Sequence, residues 1–278
     1  MRKPNLFLVG APKAGSSLLW TMLKEHKDIF FSTNPEKEIN HFSYDELAQN
    51  SYYKDYKVKS EDDYLKVFKK GQSVKYLVDG SVSYFAYPSI PKKLYEFNSE
   101  AKIIVIVRDP ILRAFSHYNM DKRMGYAIAP FSEYLINKDN KYEQYLHQYI
   151  ENSLYYKHVN NYLEYFDKSQ VFILQLENIN DDIDRLCDFL DIGKLTLKSN
   201  NEKVNANKIP MNIISRTLQH NRYLATTLKK IIPKIIVRYF DFLLYKKAEK
   251  VQLQESEELL LEQYLNEDYL KFNKRHIQ

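Results

Sequence analysis

Apolar and polar positions follow two alternating patterns along the first 200 residues, and together these patterns predict an α/β fold. Short apolar runs have the length of buried strands. Between them, apolar side chains recur every three or four residues, as on one face of a helix; Leu18, Leu19, Met22 and Leu23 are an example. The predicted strands are Leu6–Val9, Asp28–Ser32, Tyr76–Asp79, Ile103–Val107 and Gln170–Leu176. We therefore predict a mainly parallel central sheet with helices on both faces.

The same periodicity marks helices beyond these strands and suggests how the domain is divided. The predicted helices include Ser60–Gly71, Tyr142–Phe166, Asp181–Leu190 and Gln252–Lys271. Lys194–Pro210 is polar and has no periodicity, so it is a predicted loop that could act as a lid. We expect one domain over residues 1–278, with an α/β core at 1–200 and a helical extension at 211–278.

The segment that follows the first strand has the arrangement that cradles a phosphate group. Gly10 and Gly15 bracket a tight loop, after which a helix opens with two serines. Backbone N–H groups, two hydroxyls and the positive end of the helix dipole then converge where the loop ends. The predicted phosphate-binding residues are Lys13, Ala14, Gly15, Ser16 and Ser17. An ordinary βα turn is the alternative, but two of the chain's 6 glycines lie in this loop.

This loop has the length of a Walker A motif, with one difference in where the lysine lies. Lys13 precedes the second glycine, and Ser16 occupies the position after Gly15 where that motif has lysine. The strand Ile103–Val107, which could have ended in a magnesium-binding aspartate, is followed by Arg108 instead. The sequence therefore predicts a three-layer fold of P-loop type that handles a nucleotide without a metal ion.

A second strand-to-helix turn carries another candidate anion site. Arg108 ends the strand, while Asp109 and Pro110 supply a helix cap and a proline at the first helical position. Arg113 and Ser116 lie three residues apart on the new helix and are expected to share a face. We predict that Arg108 and Ser116 form this site. An arginine paired with a surface carboxylate is the alternative, but it explains neither the sharp turn nor the likeness to the first motif.

Two candidate bases lie on the loop that follows the second predicted strand. The Asn34-Pro35 pair forces a non-helical exit from that strand. The loop therefore emerges at the carboxyl edge of the sheet, where the phosphate loop also lies and where open α/β folds bind ligands. Glu38 and His41 both belong to this loop, and the sequence does not decide which of them faces a nucleotide. The alternative is that each is an ordinary solvated loop residue.

Composition narrows the choice of partners and of location. A formal charge of +5 and a pI near 8.8 fit an anionic ligand but are too weak and dispersed to indicate nucleic acid. The single cysteine, Cys187, excludes a disulfide within the chain. The sequence shows neither a transmembrane run nor a signal peptide, so we expect a cytoplasmic protein. The basic stretch 222–250 packs on the core, which we favour, or touches anionic lipid at the inner face of a membrane.

With both anion motifs placed, the sequence resembles the sulfotransferases that use 3′-phosphoadenosine 5′-phosphosulfate (PAPS), in particular the heparan-sulfate type and its bacterial relatives. Ala11–Ser17 resembles the family's 5′-phosphosulfate loop, and Val107–Tyr118 resembles its 3′-phosphate motif. Lys37–Phe42 is similar to a K-E loop whose glutamate is the base in glycan sulfotransferases. The departures from the family pattern are Asp79, which replaces a glutamate in a motif whose proline is also lost, Ser153, which replaces a glycine, and Asn40-His41, which alters the K-E-P-H-F-F pattern.

This resemblance implies metal-independent transfer of a sulfuryl group from PAPS to a hydroxyl or amine of a carbohydrate. It implies that Lys13 neutralises the bridging oxygen as it leaves, that Glu38 takes the proton of the acceptor, and that Arg108 and Ser116 bind the 3′-phosphate. A phenol or alcohol acceptor with His41 as the base is an alternative within the family. From other classes, a P-loop nucleotide kinase and a non-catalytic nucleotide-binding module remain open.

Overall fold

A five-stranded parallel sheet forms the centre of the molecule. The computed structural model describes residues 1–33, 37–50, 57–137, 139, 142–195, 208–210, 245–247 and 251–277. The strands are β1 (Leu6–Gly10), β2 (Ile29–Phe31), β3 (Tyr76–Asp79), β4 (Lys102–Val107) and β5 (Val171–Gln175). Their order is β2-β3-β1-β4-β5, and every neighbouring pair is parallel. The predicted sheet is therefore confirmed, with strand boundaries that differ from the predicted ones by at most one residue.

Alternate side chains of the central strands face two separate hydrophobic layers. In β1, Phe7 and Val9 belong to one buried cluster, whereas Leu6 and Leu8 belong to another. This follows from the two-residue period of a strand. Because β1 and β4 are buried on both faces, they consist of nearly continuous apolar residues, as expected of central parallel strands.

Helices cover both layers, as the sequence predicts. The helices are α1 (Ser16–Leu23), α2 (Tyr44–Asn50), α3 (Glu61–Lys66), α4 (Ile90–Phe97), α5 (Pro110–Met124), α6 (Phe131–Ile136), α7 (Glu143–Tyr149), α8 (Tyr155–Leu163), α9 (Ile179–Leu190) and α10 (Glu255–Phe272). Helices α1 and α9 bury leucines against the face of Leu8, and α4 and α8 bury apolar residues against the face of Phe7. The protein is thus a three-layer α/β molecule.

The start of α5 has the cap that the sequence predicts. The Asp109 carboxylate accepts a hydrogen bond from Leu112 N at 2.8 Å, and Pro110 occupies the first helical position. The helix ends at Gly125, whose φ of +79° is the left-handed conformation common after a helix. This long helix begins at the carboxyl end of β4, so its first turns lie beside the phosphate loop.

The predicted helix over Tyr142–Phe166 is wrong, because the segment forms two helices. Between α7 and α8, Asn152 donates to His147 O at 3.0 Å and Ser153 donates to Tyr149 O at 3.0 Å. Such side chain to backbone bonds compete with the helical ladder. The predicted helix over 60–71 is also shorter, since α3 ends at Lys66 and a separate turn of 3₁₀ helix covers Lys69–Gly71.

The described residues after position 207 form two short strands and a helix. Lys208–Pro210 (β6) pairs with Tyr245–Lys247 (β7) in an antiparallel ladder. The sequence predicts a loop for the first of these segments and a helix for the second, and both predictions are wrong. The two strands form by pairing between segments that are far apart in the chain, which local periodicity cannot show. The remainder of the predicted lid and of the basic stretch 222–250 lies outside the described residues. Membrane contact and the division at 200 and 211 therefore stay predictions.

The last helix is joined to α8 through a carboxylate. Asp268 on α10 accepts hydrogen bonds from Tyr156 N and Lys157 N, each at 2.9 Å, and so caps the first turn of α8. Phe272 is fully buried with its ring 5.6 Å from that of Tyr155, which in turn lies 6.1 Å from Phe85. Within the described ranges, no helix combines the length and apolarity needed to cross a bilayer; the expected cytoplasmic location stays a prediction.

Candidate active site

The loop between β1 and α1 has a backbone that two glycines make possible. Gly10 and Gly15 have φ angles of +146° and +105°, which L side chains rarely adopt. A Cβ atom at Gly10 would lie 2.7 Å from Phe85 Cβ, and one at Gly15 would lie 2.7 Å from Leu176 Cδ1. The loop therefore passes close to both neighbours and delivers the chain directly into α1, which begins at Ser16.

The predicted phosphate-binding residues differ in how far their side chains are exposed. Ala14 is fully buried in the core and Ser16 is almost so, which leaves mainly their backbone groups for a ligand. Ser17 and Lys13 are partly exposed. Because the first amides of a helix have no partner within the helix, the start of α1 presents N–H donors and a partial positive charge. This arrangement suits a phosphate or sulfate group.

Arg108 lies next to this loop because β4 is the neighbour of β1 in the sheet. Its Nη1 atom is 3.5 Å from Lys13 O, at the limit of a hydrogen bond. Its Nε atom is buried and has no hydrogen-bond partner among the described residues. A buried N–H of a guanidinium without an acceptor is costly, so Arg108 is suited to an anion that supplies one.

One residue of the first predicted anion motif and two residues of the second line one cleft of about 340 Å³, whereas Ala14–Ser17 are not among its lining residues. Lys13, Arg108 and Ser116 all border it, and Arg123 adds a further cation. The other lining residues are Leu112, Phe115, Asn119 and Met120. No described residue that lines this cleft is acidic, and Lys13 Nζ lies 3.4 Å from Met120 Sδ. The cleft is therefore electropositive, with an apolar wall on α5.

Arg113 does not share the exposed face of Ser116, so this part of the prediction is wrong. Its side chain is fully buried. The guanidinium donates to Ser153 Oγ at 2.7 Å, to Gln148 O at 2.6 Å and to Tyr149 O at 2.7 Å, with Nη1 3.4 Å from Pro12 O. A short Ser116 side chain stays at the surface of α5, whereas the long Arg113 side chain reaches inward to these carbonyl groups.

Glu38 lies beside the phosphate loop through the lysine that precedes it. Lys37 Nζ donates to Ser16 Oγ at 3.1 Å and to Glu38 Oε1 at 3.3 Å. The side chain of Lys37 is 14% exposed and that of Glu38 is 35% exposed, so the carboxylate remains accessible. This ion pair brings a potential proton acceptor to the place where the phosphate loop meets α1.

His41 lies on a different side of the molecule. Its Nδ1 atom is 2.9 Å from Val58 O, and its ring stacks on Tyr64 with the ring centres 4.5 Å apart. Burial lowers the pKa of His41, which favours the neutral form of the ring. The cavity that it borders, of about 470 Å³, is also lined by Lys3, which precedes β1, and by Phe97, at the end of α4. His41 thus faces the amino edge of the sheet, away from Lys13 and Arg108.

Comparison with known proteins decides the family. A family model of the sulfotransferase domain matches residues 3–235. The chain belongs to the sulfotransferase family. The sulfotransferase of Alicyclobacillus acidocaldarius is a structural relative at 29% identity and a TM-score of 0.61, over 69% of this chain and 83% of that one. The fold predicted from the sequence is therefore the sulfotransferase α/β fold.

Curated relatives of this sulfotransferase domain act on different kinds of acceptor. Mouse heparan sulfate glucosamine 3-O-sulfotransferase 5 is 26% identical over 175 residues, which cover 62% of this chain and 47% of that protein. Luciferin sulfotransferase of Photinus pyralis is 25% identical over 222 residues, or 76% of this chain and 54% of that protein. The chain spans about half the length of these curated relatives.

Two polar residues of this sulfotransferase, Lys37 and Ser153, make contacts that the sequence does not predict. In the sequence, Lys37 is only the neighbour of Glu38 in a K-E pair. In the structure, its ammonium group contacts both Glu38 and Ser16. Ser153 was noted as a replacement for glycine, although it accepts a hydrogen bond from buried Arg113. The adjacency of lysine and glutamate was the available signal for the first; nothing local to the sequence indicates the second.

Proposed function

We propose that the chain transfers a sulfuryl group from PAPS to a hydroxyl or amine of a carbohydrate acceptor. The observation that supports this best is the electropositive cleft where Lys13, Arg108 and Ser116 meet, with the carboxylate of Glu38 held at the adjoining phosphate loop by Lys37. Members of the sulfotransferase family use PAPS as the donor, and this cleft provides cations for a ligand that carries two separate anionic groups.

Each part of the cleft has a distinct role in this proposal. The amides at the start of α1 bind the 5′-phosphosulfate, and Arg108 with Ser116 binds the 3′-phosphate. PAPS supplies the sulfuryl group and a good leaving group. Lys13 stabilises the negative charge that develops on the bridging oxygen, and Glu38 accepts the proton of the acceptor. Positioning and preorganised charge then provide most of the catalysis, as in phosphoryl transfer.

A carbohydrate acceptor is favoured over a phenol because of where the two candidate bases lie. Glu38 adjoins the phosphate loop, whereas His41 is bonded to Val58 O and stacked on Tyr64. The heparan-sulfate relative agrees with a sugar acceptor, and the luciferin relative keeps a small-molecule acceptor as the second candidate. A nucleotide kinase is disfavoured, because Arg108 follows β4 where a magnesium-binding aspartate would be needed.

Transfer of radiolabelled sulfate from PAPS to a panel of glycans, phenols and amines tests the proposal. We expect labelled glycan products whose yield is unchanged by chelation of divalent cations. Label found only on phenols would favour the second candidate. Phosphate transfer from ATP that depends on magnesium would support a kinase, and tight nucleotide binding without transfer to any acceptor would indicate a binding module.

The variant Arg108→Ala should weaken binding of 3′-phosphoadenosine 5′-phosphate (PAP) by about 1.5–3 kcal/mol, or about 10- to 150-fold in Kd, because it removes a charged hydrogen bond. Binding of AMP, which lacks the 3′-phosphate, should be weak and hardly change. Titration calorimetry measures both affinities. Arg185→Ala is a matched control, since Arg185 is 71% exposed and pairs with Asp182 on α9. Equal affinity of the unmodified protein for PAP and AMP would contradict the assignment.

A further inference from the structure

The residues directly after β3 hold the backbone of the segment that carries Glu38. Gly80 N donates to Lys37 O at 3.1 Å. Ser81 Oγ accepts hydrogen bonds from Ile39 N and from Asn40 N, both at 2.9 Å. The backbone is therefore fixed on each side of Glu38, and both attachments come from the turn that ends one strand of the sheet.

The hydroxyl of Ser81 uses its full hydrogen-bonding capacity in this arrangement. A hydroxyl has one proton to donate and two lone pairs to accept with. Ser81 Oγ donates a hydrogen bond to Asp79 Oδ1 at 2.5 Å, so both of its lone pairs can accept from the amides of Ile39 and Asn40. A purely accepting group at Asp79 therefore determines which way the Ser81 hydroxyl points.

Asp79 is built into the core as an acceptor of four hydrogen bonds. Its side chain is fully buried. Its Oδ1 atom accepts hydrogen bonds from Ser81 N at 3.1 Å and from Ser81 Oγ at 2.5 Å. Its Oδ2 atom accepts from the hydroxyls of Tyr64 and Tyr84, both at 2.9 Å. Burial raises the pKa of Asp79 to about 6, and the hydrogen bonds act in the opposite direction. The four donors favour the ionised form of this carboxyl group, whereas burial opposes it.

Other contacts fix the far end of the same segment. Tyr84 OH, which donates to Asp79, also accepts from Phe42 N at 3.3 Å. Asn40 has a φ of +54°, a left-handed conformation that asparagine tolerates better than most residues, and its Oδ1 accepts from Ser83 Oγ at 2.7 Å. The segment is consequently held in one backbone course from Lys37 to Phe42.

We propose that Asp79 and Ser81 are positioning residues that set the Glu38 carboxylate against the phosphate loop, acting through the backbone of residues 37–40. Neither side chain needs to touch substrate for this role. The inference rests on the proposed function, because it assigns Glu38 as the base. A base must lie within hydrogen-bond reach of the proton that it accepts, so a small displacement of the segment lowers the rate of transfer and leaves nucleotide binding unaffected.

The variant Ser81→Ala tests this positioning role. We expect kcat to fall about tenfold or more, with the Kd for PAP within about twofold of the original. Tyr76→Phe is the matched control, because it also removes a buried hydroxyl hydrogen bond, from Tyr76 OH to Leu190 O at 2.9 Å, and that bond involves no residue of the segment that carries Glu38. The control should lose comparable thermal stability and keep its kcat. Ser81→Cys, which keeps a weak donor and acceptor at this position, serves if Ser81→Ala fails to fold, and it should likewise lower kcat at an unchanged Kd for PAP.

A double-mutant cycle with Glu38→Gln separates positioning from a general effect on the fold. In that background Ser81→Ala should change the residual rate by less than about twofold, because there is no longer a base to position. An equal loss in both backgrounds, or an unchanged kcat in Ser81→Ala itself, would overturn the inference. A full transfer rate in Glu38→Gln alone would instead refute the assignment of the base, and with it the positioning role.

Discussion

Replacing Glu38 by glutamine should lower the rate of sulfuryl transfer by about 10²- to 10⁴-fold, the range expected when a general base is removed. Glutamine keeps the shape of the side chain but cannot accept the acceptor's proton. Because Arg108, Ser116 and the start of α1 are unchanged, the affinity for PAP should stay the same. Single-turnover rates with radiolabelled PAPS and calorimetry with PAP measure the two quantities separately.

The matched control for this variant is His41→Asn. His41 belongs to the same loop, but its Nδ1 atom is bonded to Val58 O and its ring stacks on Tyr64. We expect this change to lower the melting temperature and to leave the rate of transfer near that of the original protein. The reverse order, with His41→Asn inactive and Glu38→Gln active, would make His41 the base and would remove the main support for a carbohydrate acceptor.

Replacing Lys13 by alanine should lower the transfer rate by about 10²- to 10³-fold but weaken PAP binding by only about tenfold. The reason is that the charge on the bridging oxygen develops fully only as the sulfuryl group departs, so a cation placed there stabilises the transition state more than the bound product. The ratio of the two losses, taken from single-turnover kinetics and calorimetry, is the informative quantity.

Lys24→Ala is a suitable control for the loss of a positive charge near α1. Lys24 follows the last residue of that helix, and its Nζ lies 4.1 Å from the centre of the Trp20 ring rather than in the cleft. Neither rate nor affinity should change in this variant. If Lys13→Ala instead bound PAP poorly and turned over normally at saturation, Lys13 would be an anchor for phosphate and would have no special role in the transition state.

Most of the fold could be predicted from the sequence because its determinants are local. The apolar runs of β1 and β4, the glycines of the phosphate loop and the Asp109 cap of α5 each depend on residues close together in the chain. The break between α7 and α8 could not be predicted, since Ser153 also bonds Arg113 on another helix. The pairing of β6 with β7 depends similarly on segments far apart in sequence.

The sequence predicts the anion-binding half of the candidate site but does not decide between the two candidate bases of the other half. Lys13, Arg108 and Ser116 follow from strand-to-helix turns whose positions in a parallel sheet are known in advance. Glu38 and His41 lie three residues apart on a loop, and periodicity does not apply to loops. Their directions depend on Lys37 bonding Ser16 and on Val58 bonding His41, contacts that only the folded chain brings together.

The cap that Asp268 places on α8 also has a consequence for the order of events on the ribosome. Synthesis proceeds from the amino terminus, so all five strands of the parallel sheet have been synthesised once residue 175 has been added. Asp268 is added to the chain 112 residues after Tyr156, whose backbone N–H donates a hydrogen bond to it. Until then the first turn of α8 lacks its cap, and Tyr155 lacks the Phe272 ring. The growing chain can therefore form its phosphate loop early, but the layer behind Phe85 and Gly10 is completed only after residue 272 has been added.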